Sequence, residues 1–398
     1  MAKGPWLTII GFGEDGLDGL PAASLDALKC AEIVMGPVRH LSLLGDVPQQ
    51  TIDWPVPFSD GLEILRSLRG RRVVVLASGD PFWYGAGSVL ARDFDPIEWV
   101  ALPGLSCFSI AAARLGWPLD TTPCLGLHAA PLSRLRPYLA RGTRLMVTLR
   151  DGAAVDDLHA YLTQLGFGDS ILHVMEALAG PRERISKFKA DEAPNTDFAH
   201  PVCVAIDVQG AGESLPKTSG RSDAWFAHDG QITKRPVRAL TLSALAPRHG
   251  EHLWDIGGGS GSIAIEWLLA DPSLHATCIE ADPARANRIT KNAVGLGVDR
   301  LRLAIGVAPK VLDDLEHPDV VFVGGGLSNE MLAYLTTLRP GTRIVANAVT
   351  LEAEALLASA QAIHGGDLLR IELAQNAPLG RKRGWKSSYP IVQWSVTL

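Results

Sequence analysis

The sequence predicts an α/β protein of two domains in tandem. Three observations carry this. Short apolar runs with strand character alternate with helix-like segments through most of the 398 residues, the pattern of sheets with helices packed on them. A strand, glycine turn and helix occurs twice, at LTIIGFGEDGLDGL (7–20) and at LWDIGGGSGSIAIEW (253–267). Between the two lies GAGESLPKTSGRSD (210–223), rich in Gly, Ser and Pro and poor in large apolar residues, which reads as a linker. The predicted domains are therefore 1–209 and 224–398.

In the front part, LTII (7–10), VVVLAS (73–78), WVAL (99–102), RLMVTL (144–149) and ILHVME (171–176) are predicted buried strands of a largely parallel sheet. SLDALKCAEIVMG (24–36) reads as one helix with Ser24 as N-cap, and SCFSIAAARLG (106–116) as another. In the rear part HLWDI, TCIE, LRLAI, VVFVG, RIVAN, LLRIEL and PIVQWSV are seven strand candidates. A long Gly- and basic-rich loop joins the last two, as in an antiparallel hairpin.

Composition narrows the function classes. Hydrophobic residues are 47% of the chain and the net charge is −6, with the acidic excess ahead of residue 215. Neither half has the basic excess of a nucleic-acid binder. No apolar run reaches membrane-spanning length, and the N-terminus lacks a signal-peptide layout, so a cytoplasmic location is expected. Cys30, Cys107, Cys124, Cys203 and Cys278 are scattered, with no CxxC pair, which fits a reducing compartment and offers no cysteine zinc site. His249 and His252 lack a third ligand and read as surface residues; no metal is expected. Two basic clusters could hold acidic substrate groups: Arg134, Arg136, Arg141 and Arg144, and Arg381, Lys382, Arg383 and Lys386 beside Trp385.

The rear glycine turn reads D-x-G-x-G-x-G, from Asp255 through Gly257 and Gly259 to Gly261, with Gly258 and Ser260 between. Backbone N–H groups at a helix N-terminus suit a nucleotide, and Glu280, ending the next strand, suits ribose hydroxyls. The third glycine of a dinucleotide fingerprint is missing, because Ser262 occupies its place. This acid-led spacing, with seven strands and a closing hairpin, resembles class I S-adenosylmethionine (SAM) methyltransferases, which have a Rossmann-like fold. The resemblance implies that Val307 and Ala308 border the adenine and that Gly324 to Gly326 lie where cofactor and substrate meet.

The front turn, with Gly11, Gly13 and Gly16, is not followed by an acid at the end of a second strand near residue 35, where the sequence reads IVMG. Two later stretches accompany it: Ser78-Gly79-Asp80-Pro81, and Pro103-Gly104-Leu105-Ser106. Together they resemble the signatures of the tetrapyrrole methylases, class III methyltransferases of two α/β subdomains. The resemblance implies a folded cofactor held by loop backbone near Gly79, Asp80, Pro103 and Ser106. Glu14 departs from it, since many members carry Pro there. His128, in CLGLHAAP, is a candidate pocket residue.

A class III domain followed by a class I domain resembles the fused methyltransferase-decarboxylases of cobalamin biosynthesis, in which the Thr233-Lys234 pair lies over the second cofactor pocket. The implied activity is two C-methylations of a precorrin-type tetrapyrrole with decarboxylation of its ring C acetate, using one SAM per domain. No membrane or nucleic-acid partner is implied, and a homo-oligomer is expected. No catalytic residue is assigned, because the meso carbons of a reduced tetrapyrrole are already nucleophilic. The alternatives are a two-domain methyltransferase acting on another tetrapyrrole or on RNA, an NAD-dependent dehydrogenase, and a SAM-sensing module. The acidic charge with no NPPY motif, the missing third glycine, and two full pockets count against these in turn.

Overall fold

A computed structural model describes residues 4–192 and 196–398. It divides into two compact units, 1–130 with 138–213, and 131–137 with 214–398.

The first unit opens with β1 (Leu7–Phe12), α1 (Ala22–Cys30), β2 (Ile33–Gly36), α2 (Val38–Leu44), β3 (Gln50–Asp53), α3 (Phe58–Ser67), β4 (Val73–Ser78), α4 (Gly87–Asp93), β5 (Trp99–Leu102) and α5 (Cys107–Leu115). Its first sheet, in the order β3-β2-β4-β1-β5, is parallel throughout. The central strands are buried on both faces, hence their unbroken apolar runs. There follow β6 (Cys124–Gly126), β7 (Arg144–Leu149), α6 (Ala154–Gln164), β8 (Ile171–Glu176), β9 (Arg184–Lys189) and β10 (Val202–Asp207). They form a second sheet, β6-β7-β10-β8-β9, in which only β6 and β7 pair in parallel.

Three sequence expectations change here. One largely parallel sheet becomes two sheets, the second mostly antiparallel. The helix expected over 24–36 stops at Cys30, and Ile33–Gly36 is a fully buried strand. Ser24 is buried inside α1, whose N-cap is Pro21. Edge strands such as β9, half exposed and charged (RISKFK), carry no apolar run for a sequence reading to find.

The second unit contains α7 (Arg235–Leu245), β11 (His252–Ile256), α8 (Ser262–Ala270), β12 (His275–Glu280), α9 (Pro283–Gly295), β13 (Arg302–Ile305), β14 (Val320–Val323), α10 (Asn329–Leu335), β15 (Arg343–Ala348), α11 (Leu351–His364), β16 (Asp367–Ile371), β17 (Ala374–Leu379), β18 (Lys382–Ser387) and β19 (Ile391–Thr397). All seven expected strands enter one sheet, β13-β12-β11-β14-β15-β19-β16, with β19 antiparallel to both neighbours. Alternate residues fill two cores. Leu253 and Phe322 face α8 and α9, while Trp254 and Val323 face α10 and α11. The chain reverses direction across the sheet between β11 and β14, which opens a crevice at their carboxyl ends. The basic segment before β19 is not a loop. It is the β17–β18 ribbon, with Gly380 and Arg381 at its tip.

Residues 210–223 also differ from a free tether. Gly212 donates to the carbonyl of Gly166 at 2.8 Å. The Gly220 and Arg221 amides donate to the buried Glu266 carboxylate at 2.7 and 2.9 Å, and Arg238 Nε does so at 2.7 Å. A buried carboxylate needs several donors, and small residues let backbone amides reach it.

Candidate functional site

Each unit has its own cavity. That of the second unit, about 1460 Å3, opens at the carboxyl ends of β11, β12, β14 and β15. Gly257, Gly258, Gly259 and Ser260 form its floor, with Glu280, Val307, Ala308 and Gly324 around it and Thr233 and Lys234 at one side. Gly257, Gly259 and Gly261 all have positive φ (76°, 59° and 75°), which side chains with a Cβ rarely adopt. A Cβ on Gly257 would lie 2.8 Å from Gly325 N, so two loops meet here only because both are glycine. Glu280 braces the turn: Oε2 accepts from Gly259 N at 2.8 Å and Oε1 from Asp282 N at 3.0 Å.

Two residues expected in the pocket stand behind it. Asp255 is 1% exposed and accepts from Ala264 N at 3.0 Å, tying β11 to the first turn of α8. Burial pushes its carboxyl up to about 7. Gly261 is the N-cap of α8. The leading acid of the motif therefore acts through the turn rather than on a ligand.

Segment 230–234 is tied down beside the cavity. Arg285 and Arg288 each reach Asp229 at 3.0 Å. The Gln231 amide, together with these guanidinium groups, holds the Asp229 carboxyl well below its usual range. At the other end Arg238 Nη1 donates to the Thr233 carbonyl. Of the basic cluster, Lys386 lines the cavity, whereas Arg381, Lys382 and Arg383 do not and are exposed. Gln375, Asn376 and Tyr389, from or beside the ribbon, and Asn347, at the end of β15, join Lys386. A polar residue closing an apolar strand was the one sequence signal for Asn347. In the ribbon the basic cluster marks Lys386, but no sequence signal marks Gln375 or Asn376.

The first unit's cavity, about 390 Å3, is lined by Gly13, Ser78, Gly79, Asp80, Ser106 and His128 among others. Gly11, Pro103 and Gly104 do not line it. Gly11, near the end of β1, lies against the loops that follow β4 and β5: a Cβ there would sit 1.9 Å from Gly79 O and 2.1 Å from Gly104 N. Gly104 N donates to Gly79 O at 3.1 Å. Ser106 caps α5 by accepting from Ser109 N at 3.0 Å, and Asp80 accepts from Phe82 N at 2.8 Å. Sequence reasoning missed Arg39, His40, Thr148 and His200, which also line the cavity. Burial, with Arg39 adding to it, lowers His40 to about 3, so its ring is neutral.

The remaining candidates are engaged elsewhere. Arg134 makes a two-pronged pair with Asp299 at 2.8 and 2.9 Å. Arg136 is buried with its guanidinium 4.8 Å from the Trp225 ring centroid, and Arg144 lies over Trp117 at 5.0 Å. Arg141 is exposed and lines neither cavity. His252 is not a surface residue: it is buried, with Nε2 2.9 Å from Thr277 Oγ1, while His249 is exposed.

Both cavities fit a polar nucleotide-like cofactor. Each has a buried hydroxyl without a hydrogen-bond partner among the described residues, Ser260 Oγ in one and Thr148 Oγ1 in the other. Such groups are rare unless a ligand or water meets them.

Comparison with known proteins gives the following. Residues 6–194 match the Tetrapyrrole (Corrin/Porphyrin) Methylases and residues 224–398 a Precorrin methyltransferase domain. A Sinorhizobium protein named precorrin-6Y C(5,15)-methyltransferase [decarboxylating] is 46% identical over 99% of this chain and 96% of its own. The chain belongs to the precorrin-6Y C5,15-methyltransferase (decarboxylating) family. Membership makes it a methyltransferase, and SAM is the general methyl donor of such enzymes. Two shorter relatives match parts of this family's chain. A cobalt-precorrin-6B C(15)-methyltransferase (decarboxylating) of Salmonella typhi is 32% identical over 40% of this chain and 85% of its own. A cobalt-precorrin-7 C(5)-methyltransferase of Salmonella typhimurium is 26% identical over 50% of this chain and 98% of its own. No helix among the described residues is long and apolar enough to cross a membrane.

Proposed function

We propose that the chain methylates carbons 5 and 15 of precorrin-6Y and decarboxylates its ring C acetate, to give precorrin-8, with one SAM in each unit. The first unit carries the C5 methylation, and the second the C15 methylation with the decarboxylation. The observation that carries this is the presence of two separate glycine-floored cavities, one per unit. The division of labour rests on the names of the two shorter relatives. The scattered free cysteines favour a cytoplasmic reaction.

Bound SAM supplies a methyl group on a positively charged sulfur. The protein's part is to hold acceptor carbon and methyl in line and exclude water. In the second unit Gly257 to Ser260 let a cofactor approach the backbone, and Glu280 presents its carboxylate to ribose hydroxyls. Val307 and Ala308 supply apolar wall. Lys386, Gln375 and Asn376 offer polar contacts for the acidic side chains of the substrate. Decarboxylation then needs little from the protein: the C–C bond to the carboxylate breaks, CO2 leaves, the electron pair delocalises into the conjugated macrocycle, and a proton from solvent completes the new methyl group.

The test is mass spectrometry of the product formed by the full chain from precorrin-6Y and methyl-labelled SAM. Two labelled methyls and the loss of one CO2 are expected. A single methyl from wild-type enzyme at saturating SAM rules the assignment out.

A further inference from the structure

An ion cluster at the first unit's cavity has no part in the glycine-loop scheme. Glu14, in the turn after β1, is 6% exposed and lines the cavity. It pairs with Arg39, at the start of α2, and with Arg182 at 2.9 Å. Arg39 lines the cavity too. Its Nη2 donates to His40 Nε2 at 2.8 Å and Ser78 Oγ at 3.1 Å, so the guanidinium is fixed on two sides. Since His40 is neutral, one carboxylate answers two guanidinium groups. Asp80, another acid on this cavity, has Oδ1 turned to the Phe82 amide. Burial and then neighbouring Arg182 lower the pKa of Arg39, the condition of a cation short of counter-charge.

We propose that Arg39, held by Glu14 with Arg182 beside it, is a carboxylate-docking subsite that takes one acidic side chain of the tetrapyrrole. This rests on the first unit being the C5 methylase. Glu14, His40 and Ser78 take three of the five N–H groups of Arg39; Nε–H and the second Nη1–H remain to donate to a carboxylate, and a guanidinium already held in one orientation does so with little loss of side-chain freedom. The cofactor also carries a carboxylate, but with an ammonium on the adjacent carbon, which a corner with two guanidinium groups repels. The substrate's acetates and propionates bring no such cation. Glu14 is thus a positioning residue.

The experiment uses the full chain with precorrin-6Y. The KM for C5 methylation and the regiochemistry of the product are read by NMR, and SAM affinity by calorimetry. Arg39→Gln leaves Glu14 paired with Arg182, and should raise that KM about tenfold with SAM affinity unchanged; Arg39→Lys should recover part of the loss. The double variant Arg39→Gln, Glu14→Gln removes the two inner charges and leaves only the half-exposed Arg182, which water can solvate; it should behave like Arg39→Gln and guards against a folding defect. An unchanged KM in both Gln variants overturns the subsite. Weakened SAM binding with an unchanged KM overturns it in favour of the cofactor's own carboxylate. Loss of the C15 methyl with the C5 methyl retained overturns instead the assignment of C5 to this unit.

Discussion

Replacing Glu280 with Ala tests the second unit's cofactor reading most directly. The carboxylate is 7% exposed and already accepts two backbone hydrogen bonds, from Gly259 and Asp282. It therefore does two things at once: it holds the left-handed glycine turn in shape, and it offers its remaining lone pairs to ribose hydroxyls. A hydrogen bond to a charged group contributes ~1.5–3 kcal/mol. The Gly259 amide faces the cavity, so water can replace that partner when the side chain is gone. The net loss in SAM binding then comes to about one such bond, or roughly tenfold to over a hundredfold in affinity. Glu280→Gln keeps an acceptor for Gly259 and should lose about tenfold or less. Titration calorimetry on the full chain should show two SAM sites in the wild type. In Glu280→Ala one should be weakened and the other unmoved, and the product should carry one methyl and retain its acetate. If both sites weaken together, or neither does, the reasoning about Glu280 is wrong.

Lys386→Ala should raise the KM for C15 methylation about fivefold, the size of one partly solvated ion pair; Arg381→Ala with Arg383→Ala should leave it nearly unchanged, since both lie outside the cavity. Asp255, raised to about 7 by burial, is an acid whose protonated form the fold favours. Its contribution to stability is full below about pH 4 and is lost as pH rises through about 7. Asp255→Asn should flatten the second unit's thermal melting between pH 5 and 8; an unchanged pH profile would contradict the burial argument. Arg238 and Glu266 are both fully buried and paired at 2.7 Å, so Arg238→Met, which leaves the carboxylate short of a partner, should cost about 3–5 kcal/mol in denaturant unfolding. Adding Glu266→Leu should not recover that loss, because the buried Gly220 and Arg221 amides and the Arg221 guanidinium then lose their acceptor.

Much of this protein is legible locally. The parallel strands VVVLA (73–77) and VVFV (320–323) show themselves because both faces are buried, so every residue in them is apolar. The glycine turns show themselves because left-handed backbone and close approach tolerate little else. Glu280 is legible because the second strand must end where its neighbour's turn begins. Other features depend on long-range packing and leave no local trace. The four residues Ile33–Gly36 look like a helix's last turn until β3 and β4 flank them. The acid of D-x-G-x-G-x-G looks like a ligand contact until Ala264 is found above it.

The sequence by itself determined two α/β units and two glycine turns, because periodicity and glycine placement are imposed by the backbone; the methyltransferase class followed from the resemblance that the motifs around those turns carry. Only the tertiary structure decided which charges serve a site. Arg134 and Arg136 look like a basic patch in the text, yet they are consumed by Asp299 and Trp225. Arg39 and Arg182 stand far apart in the chain and meet on Glu14. Whether a charge is free, paired or buried is set by neighbours distant in sequence, and electrostatic energy depends on those distances in space rather than on spacing along the chain.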